Sequence, residues 1–333
     1  MTVNVAFAEL SRDLVYAAMA VYTIAMFTFA VSFAATKGRD LVPATAGGAA
    51  GAATGEGAVA VATKTEVALG GPDDGALPPG RRSANIAMAI TWLGTILLAG
   101  GLLFRGLSVM RAPWGNMYEF SITSALAIAA TFLLISLKKD VRWLGLFVLP
   151  TVLLILGLAV TVLYVDAAQL VPALRNYWLV IHVSAATVCA GAFSLGAALS
   201  ALFLVADSAE RRAAEGRSYW LAGLAKRLPD STKLDGMAYR IHAFMFPLWT
   251  FTIVAGAIWA ENAWGRYWGW DPKETWAFIT WVGYAAYLHA RATAGWKGRK
   301  AAYIAFVAYG TFVFNYFGVN ILMSGLHSYG GLR

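Results

Sequence analysis

The sequence predicts an all-α polytopic membrane protein with about eight transmembrane helices and an external loop rich in tryptophan. Three observations support this prediction. The 333 residues are 59% hydrophobic and only 13% charged. The mean hydropathy is +0.61, well above that of an ordinary soluble domain. Apolar runs of about 20 residues, the length that crosses a bilayer core of roughly 30 Å, recur along the chain.

Eight apolar runs are predicted to span the membrane: Leu14 to Ala35, Ile86 to Phe104, Phe120 to Leu137, Trp143 to Val165, Tyr177 to Val205, Met237 to Ala260, Pro272 to Ala290 and Ala301 to Met323. The first run lacks the basic n-region and cleavage site of a signal peptide, so we expect it to be retained. Residues 40–83, dominated by Ala, Gly, Thr and Val, predict a disordered cytoplasmic linker. The chain should therefore comprise an N-terminal helix (1–39), this linker and a seven-helix core (84–333).

Basic residues are concentrated in alternate connections. Segments 36–85, 138–142, 206–236 and 291–300 hold most of the 26 lysines and arginines. Because such residues are retained on the cytoplasmic side, these segments are predicted to be cytoplasmic, and both termini and the tryptophan-rich loop extracytoplasmic. The net charge of +8 follows from this topology. It gives no reason to expect nucleic-acid binding.

Five tryptophans lie close together in a loop predicted at residues 259–281. They are Trp264, Trp268, Trp270, Trp276 and Trp281. With Arg266 and Lys273 they would form an apolar, π-rich surface carrying fixed cations, which suits a flat anionic ligand. Anchoring at the membrane interface is the rival explanation, but anchor tryptophans are usually scattered over several loops.

The histidines can be placed by depth. Asp271-Pro-Lys-Glu274 has the pattern of a helix start, so the seventh span should begin at the external surface. His289 lies roughly 26 Å further along that helix, at 1.5 Å per residue, and His182 lies roughly 8 Å into its own span. His327 follows the last span. We therefore expect His182 and His327 to meet externally and His289 to lie in the cytoplasmic half.

Two external imidazoles beside an aromatic surface match bis-histidine ligation of haem, with Arg266 and Lys273 available for the propionates. Zinc is less favoured, because the sequence suggests no carboxylate or thiol at suitable spacing from this pair. His242 is expected to be a hydrogen-bonded histidine between helices, with pairing to His289 as the lesser alternative.

The segment Trp264-Gly-Arg-Tyr-Trp-Gly-Trp-Asp-Pro-Lys-Glu-Thr-Trp276 resembles the tryptophan-rich "WWD" signature of haem-handling proteins in cytochrome c maturation. Residues 86–333 most resemble the CcsA/ResC family, also labelled CcsB, of the system II cytochrome c synthase. Supporting motifs are Arg111 to Glu119, Tyr239-Arg240 with Phe246-Pro247, and Asn320 to Tyr329.

The resemblance implies that His182 and His327 are the axial ligands of an external haem b. Its WWD surface would include Trp264, Trp268, Trp270, Asp271 and Trp276. It also implies that His289, with a histidine of a CcsB/ResB-type partner, holds haem in transit across the cell membrane.

The implied activity is that of a holocytochrome c synthase (haem lyase) complex. Apocytochrome c would present a CxxCH segment whose thiols add across the haem vinyl groups, and a thiol reductase would be a further partner. Two alternatives stay open. One is a haem exporter or a system I type haem-delivery protein without ligation activity, and the other is a quinol-linked electron-transfer subunit with paired histidines.

Overall fold

The computed structural model describes residues 3–41, 78–170, 174–293 and 295–327. These residues are helical, with short connections and no strand among them. The helices, numbered in chain order, are α1 (Val5–Ala35), α2 (Arg81–Val109), α3 (Met117–Lys138), α4 (Gly145–Thr161), α5 (Tyr177–Ala214), α6 (Ala222–Ala225), α7 (Ser231–Trp264), α8 (Pro272–Ala292), α9 (Arg299–Val313) and α10 (Val319–Leu322). A 3-10 turn precedes α4 at Arg142–Leu144, and a π-helical turn joins α9 to α10 at Phe314–Gly318.

Seven helices in the described part of the chain are long and apolar enough to cross a membrane. They are α1, α2, α3, α4 with its preceding turn, α5, α7, and α9 continued into α10. This confirms the all-α polytopic class. The predicted seventh span, Pro272 to Ala290, forms as α8, a helix of 21 residues, but it is not among these seven. Its indole, phenol and imidazole side chains make it less apolar than the others.

The first helix packs against the rest of the bundle. Val15, Ala18 and Tyr22 of α1 are fully buried, and the Tyr22 hydroxyl lies 3.0 Å from Thr95 Oγ1 of α2. Most of the predicted linker, residues 42–77, lies outside the described residues. Its predicted end at residue 83 is late, because α2 already begins at Arg81.

The predicted cytoplasmic segments contact one another at one end of the bundle. Arg39 Nε donates to Leu228 O at 2.9 Å, and Arg291 Nη1 donates to Asp235 Oδ1 at 2.7 Å. Asn4 lies at the opposite end, where its backbone N–H bonds to the last turn of α2. The alternation of ends agrees with the predicted topology. Which end faces the cytoplasm stays a prediction.

Helices α5 and α7 run antiparallel through the centre and approach each other closely at two glycines. His182 of α5 lies against Gly256 of α7, and His242 of α7 lies against Gly196 of α5. A glycine has no Cβ, so each imidazole can approach the facing backbone. The contact with Gly256 fixes the position of His182.

Candidate functional site

A cavity opens at the end of the bundle where α3, α5 and α8 begin and α7 ends. Its volume, including the open space at its mouth, is about 1200 Å³. Its lining is mostly apolar and aromatic. The structure brings His182 and His327 together, because both line this cavity.

His182 is held from behind by a backbone carbonyl. Its Nδ1 lies 2.9 Å from Thr252 O of α7. A carbonyl oxygen can only accept, so Nδ1 carries the proton and Nε2 has the lone pair. The Nδ1–Cε1 edge of the ring faces Gly256, and Nε2 lies further from that glycine. The ligating nitrogen of a neutral imidazole is therefore Nε2.

His327 is held by a carboxylate. Its Nδ1 lies 2.8 Å from Asp271 Oδ2. The other oxygen, Oδ1, accepts from the backbone N–H of Leu326 at 2.7 Å, and Gly325 packs directly against this carboxylate. Sequence spacing predicts no carboxylate beside the histidine pair. That expectation was wrong, because the chain after α10 folds back onto the N-cap of α8.

The charges of Asp271 and His327 follow from their surroundings. Burial alone would raise the pKa of Asp271, but the hydrogen bonds from His327 and Leu326 outweigh it and hold this pKa below its usual value. Burial lowers the pKa of His327 below the ordinary histidine value, although Asp271 opposes the shift. At neutral pH the pair is therefore an ionised carboxylate accepting from a neutral imidazole.

Trp259 lies between the two histidines. Its ring is nearly parallel to that of His182, with centroids 6.2 Å apart, and meets His327 edge-on at 5.7 Å. Trp264 approaches His327 at 5.0 Å. Trp259 falls within the predicted loop at residues 259–281 but not among the predicted site residues. It belongs to α7, seven residues beyond Thr252 and so on the same helix face, which was the available signal.

The tryptophans of the motif divide into two groups. Trp264 and Trp268 line the cavity, together with Trp259, Trp249 and Trp114, which lie outside the motif. The other motif tryptophans do not line it. Trp270 is 67% exposed, Trp276 packs on Phe314 at 4.2 Å, and Trp281 donates to Thr250 Oγ1 at 2.8 Å. Once α8 begins, helical periodicity turns Trp276 and Trp281 away from the cavity.

Trp270 has a strained backbone, with φ of 57°, a value that bulky residues rarely adopt. Glu274 holds the segment by accepting from the backbone N–H groups on both sides, those of Gly269 at 2.8 Å and Asp271 at 3.1 Å. The predicted capping box of Asp271 and Glu274 is present at the start of α8. The same box therefore caps the helix and fixes the conformation of the loop.

The two predicted cations lie in different places. Lys273 lines the cavity, and its Nζ donates to Asn315 O at 2.7 Å. Asn315 belongs to the π-helical turn, a feature often found at functional sites. Its side-chain Oδ1 is buried with no hydrogen-bond partner among the described residues. Arg266 does not line the cavity, because its guanidinium turns towards Glu274, with Nη1 3.4 Å from Oε1.

A buried ion cluster holds the opposite wall. Glu119 is fully buried and accepts from Arg105 Nε at 3.0 Å, Arg111 Nη1 at 2.8 Å and the backbone N–H of Gly115 at 2.8 Å. This cluster fixes the segment that carries Trp114 into the cavity wall. It accounts for the Arg111 to Glu119 motif in the sequence.

The remaining histidines lie away from this cavity. His289 is exposed near the end of α8 that lies away from the cavity; that this half is cytoplasmic stays a prediction. His242 is fully buried, with ring centroids 5.2 Å from Tyr284 and 5.3 Å from Tyr287. By strict geometry neither ring nitrogen has a hydrogen-bond partner among the described residues, but the ring lies against the backbone of Gly196 of α5, close enough to interact with it. No contact joins it to His289 in the described part of the chain.

Comparison with known proteins identifies the family. The family model described as "Cytochrome C assembly protein" matches residues 114–327, a segment that runs from Trp114 to His327 of the cavity. A protein named "Cytochrome c biogenesis protein CcsA" from Guillardia theta is 40% identical over 235 residues, covering 66% of this chain and 77% of that protein.

Two further relatives carry the same name. The protein from Porphyra purpurea is 37% identical over 280 residues, covering 74% of this chain and 88% of its own length. The protein from Synechocystis sp. is 36% identical over 297 residues, covering 75% and 88%. The chain therefore belongs to the CcsA family of cytochrome c assembly proteins and has a role in cytochrome c biogenesis.

Proposed function

We propose that this protein is the haem-handling component of a system II cytochrome c synthase, and that its external cavity holds haem b for attachment to apocytochrome c. The observation that carries the proposal is the pair His182 and His327 lining one largely apolar cavity. Each donates through Nδ1, to Thr252 O and Asp271 respectively. Each neutral ring therefore has its lone pair on Nε2, as haem ligation requires.

The rest of the cavity fits the same ligand. Trp259, Trp264 and Trp268 provide aromatic surface for a flat macrocycle. The Lys273 side-chain nitrogen lies in the wall and can donate to a propionate carboxylate. Zinc suits the site less well, because no group of three or more His, Cys, Asp or Glu side chains among the described residues could hold a metal ion.

Within this function, the chain binds and orients the haem, keeps water from it and leaves the mouth of the cavity open to the acceptor. Each thiol of the CxxCH segment would add across one vinyl group, forming a C–S bond while the thiol hydrogen goes to the neighbouring vinyl carbon. This addition consumes no electrons. The protein's part in it is positioning.

His289 is proposed to hold haem in transit, with a second ligand from a CcsB/ResB-type partner. Its exposure on α8 supports this role, because the side chain is accessible to another membrane protein. The less apolar composition of α8 also suits a helix covered by a partner rather than by lipid alone. The cavity would then be extracytoplasmic, as the distribution of basic residues predicts.

Co-expression with a cytochrome reporter tests the proposal. The chain is produced with and without its partner and with a reporter that carries one CxxCH segment, and covalently bound haem on the reporter is measured. A reporter with SxxSH is the matched control. Covalent haem that depends on His182 and His327 is expected. Haem that is exported but never attached would favour an exporter, and unchanged attachment in His182→Ala and His327→Ala would overturn the site.

A further inference from the structure

The two cavity histidines have hydrogen-bond partners of different charge. His327 donates to the carboxylate of Asp271, and His182 donates to the neutral carbonyl of Thr252. Hydrogen bonds to an ionised acceptor are roughly twice as strong as neutral ones, and a carboxylate partner makes an imidazole a more basic metal ligand. His327 is therefore the stronger of the two ligands.

The support of His327 is also the more extensive. Besides His327, the Asp271 carboxylate accepts from the backbone N–H groups of Leu326 at 2.7 Å and Lys273 at 3.2 Å. Moving His327 away from a bound haem would disturb the N-cap of α8 and the turn that carries His327. Moving His182 would break one hydrogen bond to a neutral carbonyl and disturb its packing against Gly256 and Trp259, but it would leave the helix N-cap and the turn at His327 intact.

A second cavity lies beside the first, at the first turn of α5. It encloses about 890 Å³, including open space. Its lining includes Arg111, Gln169, Arg175, Asn176, Tyr177 and Val180. We call this the side cavity.

The side cavity borders the main cavity on the His182 side. The two share Trp114, Leu174 and Leu179 as walls. Leu179 precedes His182 by three residues, so both lie on one face of α5. Neither His327 nor Asp271 lines the side cavity. A chain lying there would therefore approach a haem ligand from the face that His182 occupies.

The chemistry of the side cavity suits a short peptide. A CxxCH segment has five residues, which span at most about 18 Å when extended. Gln169 Nε2 already donates to Val109 O, Arg175 Nε donates to Leu170 O, and Asn176 Oδ1 accepts from the backbone N–H of Trp178. Each side chain has further N–H groups that can donate to peptide carbonyls. Tyr177 and Val180 offer apolar surface. Tyr177 is 67% exposed, so the cavity is open to the outside of the bundle.

We propose that the acceptor CxxCH peptide lies in the side cavity and that its histidine replaces His182, while His327 stays bound to the iron. This inference rests on the proposed function. The exchange breaks the bond from iron to His182 Nε2 and forms one to the incoming imidazole. No electron is transferred, and the acceptor thiols reach the haem while His327 and Asp271 keep it in place.

The test separates ligand exchange from attachment. Purified haem-loaded protein is titrated with a peptide carrying SxxSH, which keeps the histidine but cannot form thioethers. The titration is made on His182→Met and His327→Met, whose methionine gives the haem spectrum a sulfur-ligand signature. We expect the peptide to abolish that signature in His182→Met and to leave it in His327→Met. A peptide with alanine in place of histidine is the control.

Three results would overturn the inference. They are loss of the sulfur-ligand signature in His327→Met alone, its loss in both variants, and no change of the signature in either variant. A second measurement uses the wild-type protein, so it does not depend on how well the variants bind haem. The same peptide with a photo-reactive group next to its histidine is added to the wild-type protein, and attachment is mapped by mass spectrometry. Labelling of Arg175, Tyr177 or Val180 is expected. Labelling of residues 265–271 or Leu326, or no labelling, counts against it.

Failure of the inference can be distinguished from failure of the proposed function. The haem spectrum of the wild-type protein is recorded before any peptide is added. If it lacks two imidazole ligands that depend on His182 and His327, the proposed function fails. If those ligands are present and the peptide displaces His327, only the assignment of the exchanged ligand fails.

Discussion

Gly256→Ala should weaken haem binding although residue 256 offers no ligand atom. A Cβ at this position would lie 2.8 Å from both Nδ1 and Cε1 of His182, a separation that real Cβ contacts do not show. The imidazole sits in a helix–helix contact, so the ring has to rotate or α5 and α7 have to separate. Either movement stretches the 2.9 Å hydrogen bond from Nδ1 to Thr252 O.

The size of the effect follows from two opposing contributions. Overpacking a helix contact costs about 1–3 kcal/mol, whereas replacing glycine by alanine within a helix stabilises it by about 0.5–1 kcal/mol. The net loss of folding stability should thus stay below about 2.5 kcal/mol. Haem affinity is more sensitive, because loss of a hydrogen bond that orients a ligating histidine costs about 10–100-fold in metal-ligand affinity.

The assay is a haem titration of purified protein followed by absorption spectroscopy. Gly310→Ala is the matched control, since it lies in α9 and a Cβ there would meet nothing within 4 Å. We expect Gly310→Ala to titrate like the wild type and Gly256→Ala to bind haem at least tenfold more weakly. Wild-type affinity and an unchanged spectrum in Gly256→Ala would refute the placement of His182.

Three further predictions concern the groups around the histidines. Asp271→Asn removes the charged acceptor of His327 Nδ1 and should weaken haem affinity by about 10–100-fold in the same titration; an unchanged affinity would contradict the role of Asp271. Glu119→Gln leaves Arg105 and Arg111 without their counter-charge and should cost about 3–5 kcal/mol of stability, measured by thermal unfolding; a loss below about 1 kcal/mol would be inconsistent with the buried cluster. Because the pKa of His327 in the folded protein lies below its ordinary value, the contribution of His327 to stability and haem binding should be complete above about pH 6.5 and fall as the pH drops below that value. Haem retention measured against pH tests this dependence, and haem release that begins well above pH 6.5 would contradict it.

The helical framework could be predicted from the sequence because bilayer thickness sets the length of apolar runs. The start of α8 at Pro272 was also predictable, since the capping box of Asp271 and Glu274 is a local pattern. The end of the linker was harder to predict from the sequence. Position-by-position hydropathy gives no signal for the extra turn that begins α2 at Arg81.

The details of the cavity depend on tertiary contacts that the sequence does not express. Asp271 reads as a helix N-cap, and only the folding back of the chain after α10 brings His327 to its carboxylate. Trp270 and Trp276 belong to the same motif as Trp264 and Trp268, yet Trp270 is exposed in the loop, and the start of α8 turns Trp276 away from the cavity. Trp114 reaches the cavity from a distant segment, through the Glu119 cluster.

The axial ligation of bound haem tests the central claim most directly. The measurement is the spin and coordination state of haem in the wild-type protein, His182→Gly and His327→Gly, each with and without added imidazole. We expect six-coordinate bis-imidazole haem in the wild type, loss of one imidazole ligand in each variant, and its restoration by imidazole. Retention of both imidazole ligands in either variant without added imidazole would contradict this expectation.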